Sequence, residues 1–120
     1  MVDRALSRVR DMKQSIDQIR SLLAGKSAED VASQPMTRAA FERFLEILSE
    51  ASRHVPESWR AKWGEEIAWQ SVAALGNRIR HEYRLVDVKL LWSIYKDDLD
   101  PLERAVDAML KAHALDGDST

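Results

Sequence analysis

Eight consecutive residues, G-N-R-I-R-H-E-Y from Gly76 to Tyr83, gather a histidine, two arginines, an asparagine and a tyrosine. Basic residues flank His81, with Arg78 and Arg80 before it and Arg84 three residues after it. An unperturbed imidazole titrates near neutral pH and can both take and give a proton. Arg78 stands three residues before His81 and Asn77 four, and on a helix both spacings bring side chains together. An imidazole to move protons, a guanidinium to hold a phosphate and an amide to orient it suffice for RNA cleavage without a metal. In that reaction the ribose 2′-hydroxyl attacks the adjacent phosphorus, and the protein supplies acid–base help and stabilises charge on the phosphoryl oxygens. The bland alternative is a solvated polar helix face, with Arg78 and Glu82 as an ordinary i, i+4 ion pair. Residue chemistry alone favours the bland reading, and it favours Tyr83 as a core aromatic.

Other chemistries find less support. Cysteine is absent, which excludes disulfides, thiolate zinc sites and a cysteine nucleophile. The three histidines, His54, His81 and His113, show no metal-ligand spacing. No acidic pair stands out, and no glycine-rich phosphate loop is present. No cofactor and no metal are therefore expected. His54 and His113 sit near predicted helix ends and read as capping or exposed residues. Trp59 and Trp63, one helical turn apart, read as packing or a partner surface rather than a base-stacking platform.

The elements that must carry this stretch are helices. The 120 residues suit one domain, and four glycines and three prolines interrupt them little. Leu6, Val9, Met12, Ile16, Ile19, Leu22 and Leu23 mark an apolar stripe on a helix from about Asp3 to Ala24. Ser27 and Asp30 resemble a capping box. Pro35 opens a second long helix to His54, with Ala40, Phe41, Phe44, Leu45, Ile47 and Leu48 inward. Pro56 opens a brief helix through Trp63, ended by Gly64. A further helix spans about Glu65 to Tyr83, with Trp69, Val72, Leu75, Ile79 and Tyr83 on one side and Asn77 and His81 roughly opposite. Asp87 caps a helix carrying Leu90 to Tyr95, and Asp100-Pro101 predicts a restart running to about Leu115. The expected architecture is an all-α antiparallel bundle of four to five helices, one domain over residues 1–116 with a frayed tail at 117–120.

The net charge is −2, whereas chains that hold long nucleic acid through phosphates usually carry a basic excess. Any RNA contact must be local or shared with a second subunit. No apolar run approaches the roughly 20 residues that span a bilayer, and the N-terminus lacks a signal-peptide apolar core. A cytoplasmic protein without membrane contact is expected.

The ordered set of motifs resembles the HepT-like toxin family of the HEPN superfamily. T-R-A-A-F-E-R-F-L-E-I-L-S-E-A-S-R (Thr37 to Arg53) looks like the family's second long helix, including its small residue-Glu-Ala step at Ser49-Glu50-Ala51. I-A-W-Q-S-V-A-A-L-G-N-R-I-R-H-E-Y (Ile67 to Tyr83) looks like the helix with the signature R-N-x-x-x-H-x-Y, preceded by a tryptophan. V-D-V-K-L-L-W-S-I-Y-K-D-D-L (Val86 to Leu99) matches the segment that follows. The resemblance implies a homodimer whose signature helices meet at a cleft, and a metal-independent RNase with tRNA among its substrates. It also implies a toxin–antitoxin pair, in which a minimal nucleotidyltransferase antitoxin attaches AMP to the tyrosine. On that basis His81 is the catalytic histidine, Asn77 the polar residue after the arginine, and Tyr83 the modified tyrosine.

One position departs from the signature. Gly76 stands where the arginine belongs, and a glycine stabilises no phosphorane. Arg78 and Arg80 are the candidates to replace it, or the partner chain supplies a guanidinium. Position 76 lies about 140° around the helix from His81, and Arg78 about 60° the other way, so simple substitution by Arg78 is disfavoured. Gly76 beside Ala73 and Ala74 equally suits a close helix–helix contact. The sequence thus leaves two readings: an endoribonuclease with an incomplete signature, or a non-catalytic helical accessory subunit of a nucleotidyltransferase.

Overall fold

The computed structural model describes residues 2–82 and 86–114. Tyr83 and the tail at 117–120 lie outside the described residues. Within them the chain is helical, in the order α1 (Val2–Leu23), α2 (Ala28–Ser33), α3 (Pro35–Ser52), α4 (Glu57–Trp63), α5 (Trp69–His81), α6 (Val88–Ser93) and α7 (Leu99–Ala112).

The periodic stripes become the core. Leu6, Val9, Met12, Ile16, Ile19 and Leu23 of α1 are buried, as are Phe41, Leu45 and Leu48 of α3. Helix α3 is central: α1 packs on it, α5 packs on it separately, and α7 closes against α1. Truncating a core leucine such as Leu45 to alanine would cost about 2–5 kcal/mol. No helix among the described residues is long and apolar enough to cross a membrane.

Local signals account for the starts of α2 and α6. Ser27 and Asp30 form the reciprocal capping box, with the Ser27 hydroxyl accepting from Asp30 N–H and the Asp30 carboxylate accepting from Ser27 N–H. Asp87 caps α6 by accepting from Leu90 N–H at 2.9 Å. Arg38 donates to the Val86 carbonyl at 2.8 Å and ties the approach to α6 onto α3.

Two expectations are corrected. Asp100-Pro101 does not restart a helix. A π-turn at Ile94–Asp98 joins α6 to α7 without a break, and Leu99 N–H reaches back to the Ile94 carbonyl. Pro101 has no N–H to give and its ring crowds the preceding turn, and the wider i, i+5 turn just before it absorbs both effects. The signature helix also begins at Trp69 rather than Glu65. Residues 64–68 fold as a turn, closed by Ile67 N–H on the Gly64 carbonyl at 3.1 Å.

Candidate active site

Helix α5 is held at both ends and along one face. At its start the Trp69 indole N–H donates to the Gly64 carbonyl at 2.8 Å, and the ring lies over Gly64. A Cβ at position 64 would come within 2.7 Å of that ring, so Gly64 is required for space. The sequence reads Gly64 only as a helix stop. At the other end Glu82 N–H bonds the Arg78 carbonyl at 2.8 Å and closes the helix.

Along the helix, Gly76 and Ile79 are buried against α3, while Trp69, Val72 and Leu75 are half-buried. The predicted apolar stripe is therefore rotated: its buried centre includes Gly76. The Ser49 hydroxyl, itself 1% exposed, accepts from Gly76 N–H at 2.9 Å and donates to the Ala73 carbonyl at 3.1 Å. It bridges two backbone groups of α5 from α3. A Cβ at position 76 would stand 3.1 Å from that oxygen and 3.3 Å from Ser49 Cβ. The missing arginine is thus also a close helix crossing with a hydroxyl latch. Ser49 was visible in the sequence only as the small residue of the Ser49-Glu50-Ala51 step.

The opposite face is open. Asn77, Arg78, Arg80 and His81 are all exposed on the last two turns of α5. The basic residues of the final turn also complement the negative end of the helix dipole, which gives them a structural role as well. Asn77 and His81 stand one turn apart. Arg80 donates to Asn77 Oδ1 at 2.7 Å, and its Nη1 lies 3.8 Å from Glu46 on α3. Arg78 turns the other way, where its partner is Glu82 at 4.0 Å.

The two arginines therefore serve different surfaces. Arg80, four residues after Gly76, lies only about 40° from it around the helix, whereas Arg78 lies about 160° away. Arg78 borders a groove of about 400 Å³ between α5 and the α6–α7 rod, walled by Val72, Leu75, Leu90 and Ile94. Asp98 lies on the same groove, and desolvation there, with repulsion from Asp97, pushes its carboxyl upward. Among the described residues no group of three or more histidine, aspartate and glutamate side chains could hold a metal ion.

The other histidines stand apart from this face, each with a local partner. His54 Nε2 is 3.3 Å from Glu50. His113 Nδ1 lies 2.8 Å from the Met109 carbonyl at the end of α7, and the ring stacks on Trp59 at 4.2 Å. Trp63 meets the same imidazole edge-on at 5.4 Å, so both tryptophans pack as expected.

Comparison with known proteins decides the ancestry of this face. The family described as Ribonuclease HepT-like matches residues 12–109, from the second half of α1 through most of α7. The chain belongs to the HepT-like ribonuclease family. The HepT-like chain is 30% identical over 101 residues to the "Probable ribonuclease HepT" of Thermococcus cleftensis, covering 84% of this chain and 91% of that one. It is 31% identical over 87 residues to "Putative RNase TTE0752" of Caldanaerobacter subterraneus subsp. tengcongensis, covering 72% and 77%. A third relative, "Putative RNase MJ1380" of Methanocaldococcus jannaschii, is 36% identical over 72 residues, 60% of this chain and 65% of its own. No solved structure matches the chain at a comparable level of significance.

Proposed function

We propose that this HepT-like chain is a metal-independent endoribonuclease, the toxin of a toxin–antitoxin pair, acting on tRNA or other RNA. The observation that carries the reading is the exposed pair of His81 and Asn77, one turn apart on the family's signature helix and without a competing structural partner on α3. His81 takes the proton from the ribose 2′-hydroxyl. The 2′-oxygen bonds to phosphorus, the bond from phosphorus to the 5′-oxygen breaks, and that oxygen leaves with a proton. A homodimer in which the signature helices face one another brings a second imidazole to supply that proton.

Arg80 takes the part of the missing arginine. It lies on the same side of α5 as Gly76, and its hydrogen bond to Asn77 holds the guanidinium beside the residue next to His81. Arg78, on the groove side, contributes less. Regulation follows from the signature tyrosine: a minimal nucleotidyltransferase antitoxin adds AMP to Tyr83 and silences the RNase.

A second reading has its own observation. Gly76 is fully engaged in packing against Ser49, which suits an accessory subunit of a nucleotidyltransferase that binds without cleaving. The test is incubation of partner-free protein with total tRNA and chelator beside His81→Ala. Discrete fragments from the wild type alone support the RNase. Intact RNA from protein whose mass shows no added AMP supports the accessory subunit.

A further inference from the structure

Beside the signature helix lies a shallow depression of about 190 Å³, lined chiefly by Arg8, Asp11, Arg43, Glu46, Glu50 and Arg80. Its three guanidiniums come from α3 and from α1 and α5, the two helices that pack on α3 here. Arg80 links the depression directly to the site, because it also holds Asn77.

The arginines there make no short ion pair. Arg43 and Arg80 share one oxygen of Glu46, at 3.7 Å and 3.8 Å, both beyond hydrogen-bond length. The two side chains are 67% and 43% exposed, while Glu46 is only 16% exposed. Glu50 turns along its own helix toward His54 and Arg53. Arg8 makes no ion pair within 4.0 Å among the described residues. Exposed pairs of this kind contribute little to stability. A guanidinium gains more from a phosphate, whose oxygens it can meet with two parallel hydrogen bonds. Three arginines and three acids balance in formal charge, so an anion gains access by competing with Glu46. The chain as a whole is net negative, so a polyanion must be held where guanidiniums are exposed and only loosely paired, as Arg43 and Arg80 are beside Glu46.

We propose that Arg8, Arg43 and Arg80 form a subsite for RNA backbone phosphates flanking the one at His81, with Glu46 as the competing carboxylate that RNA displaces. The proposal rests on the ribonuclease reading for the identity of its ligand. The subsite positions the strand; none of its residues except Arg80 approaches the reacting atoms.

The test uses the full chain carrying His81→Ala, so that RNA stays intact, and a fluorescent single-stranded oligoribonucleotide read by anisotropy across a salt series. Arg8→Gln and Arg43→Gln are each expected to weaken binding uniformly across sequences and to flatten the plot of log affinity against log salt by about 0.7. Glu46→Gln, which removes the competitor while keeping its shape, is expected to tighten binding. Thermal melts check that each variant folds. Unchanged salt slopes in both arginine variants, or no binding of the oligonucleotide at all, would overturn the proposal. So would unchanged RNA binding with an altered oligomeric mass, which would make the depression a protein contact. Cleavage by the histidine-intact protein is measured in parallel. Cleavage with unchanged slopes removes only the subsite. Altered slopes without cleavage keep the subsite and remove the nuclease.

Discussion

Two charged regions of the HepT-like chain use the same residue types in opposite ways. On the seam between α1 and α7, Lys13 lies 2.8 Å from Glu103 and 2.9 Å from Asp107, and Arg20 lies 2.6 Å from Asp100 and 2.8 Å from Glu103. Desolvation pulls the Lys13 ammonium down, but hydrogen bonds to Glu103 and Asp107 outweigh it and its pKa stands above the usual value. The hydrogen bond from Lys13 holds the Glu103 carboxyl below its ordinary range, against desolvation and with further help from Arg20. On the rim of α5 the ion pairs of Arg78 and Arg80 are no shorter than 3.8 Å. The seam's charges are short, mutually satisfied and tie two helices together. The rim's ion pairs are long, and the short bond of Arg80 is to a neutral amide, Asn77, rather than to a carboxylate. Separation of charge pairs, rather than number of charges, distinguishes the seam from the candidate site.

Substitutions that widen or erase this division follow in order of size. His81→Ala should lower the cleavage rate by about 10²-fold to 10⁴-fold with no change in the melting curve, the range expected for a general acid–base group. An unaltered rate would place the chemistry elsewhere on the molecule. Gly76→Leu drives a branched side chain into Ser49 and should destabilise the fold by about 1–3 kcal/mol, read by urea denaturation. A neutral result would mean that α5 can move off α3.

Ser49→Ala removes two hydrogen bonds at a buried crossing and should cost about 1–3 kcal/mol. Gly76→Ala should be better tolerated in that background than in the wild type. The alanine gains up to about 1 kcal/mol of helix propensity once the hydroxyl has gone. Strict additivity of the two changes would argue against the latch.

The seam makes a pH prediction. Glu103 has a folded pKa below its unfolded value of about 4.3, so its contribution is fully present above that value. It is lost as the pH falls through the lower, folded pKa. Glu103→Gln should therefore destabilise the protein at neutral pH and flatten the acid side of its stability curve below about pH 4. Equal acid sensitivity in variant and wild type would assign that slope to other carboxylates.

Much of this architecture was legible in the chain. The stripes of α1 and α3, the Ser27–Asp30 capping box and the Asp87 cap are local patterns, and each formed where the pattern lies. The Asp100-Pro101 signal misled because the i, i+5 turn at Ile94–Asp98 accommodates the proline without breaking the helix, an outcome that a cap-and-proline pattern does not distinguish from a restart. For the candidate site, the residues of α5 come from one short motif. Its partners were not: Arg8, Arg43, Glu46 and Ser49 come from two other helices, and only packing brings them to α5. Gly76 was readable as a departure, but the choice between lost chemistry and close packing needed the Ser49 hydroxyl. The structure supplies the packing half of that answer.

The most direct test of the central claim is single-turnover cleavage of tRNA by wild type, Arg80→Ala and Arg78→Ala, in chelator and free of AMP by mass. The account predicts a loss of about 10²-fold to 10³-fold for Arg80→Ala, the cost of one charge-stabilising group, and less than about tenfold for Arg78→Ala. Equal losses, the reverse order, or no cleavage by the wild type would contradict it.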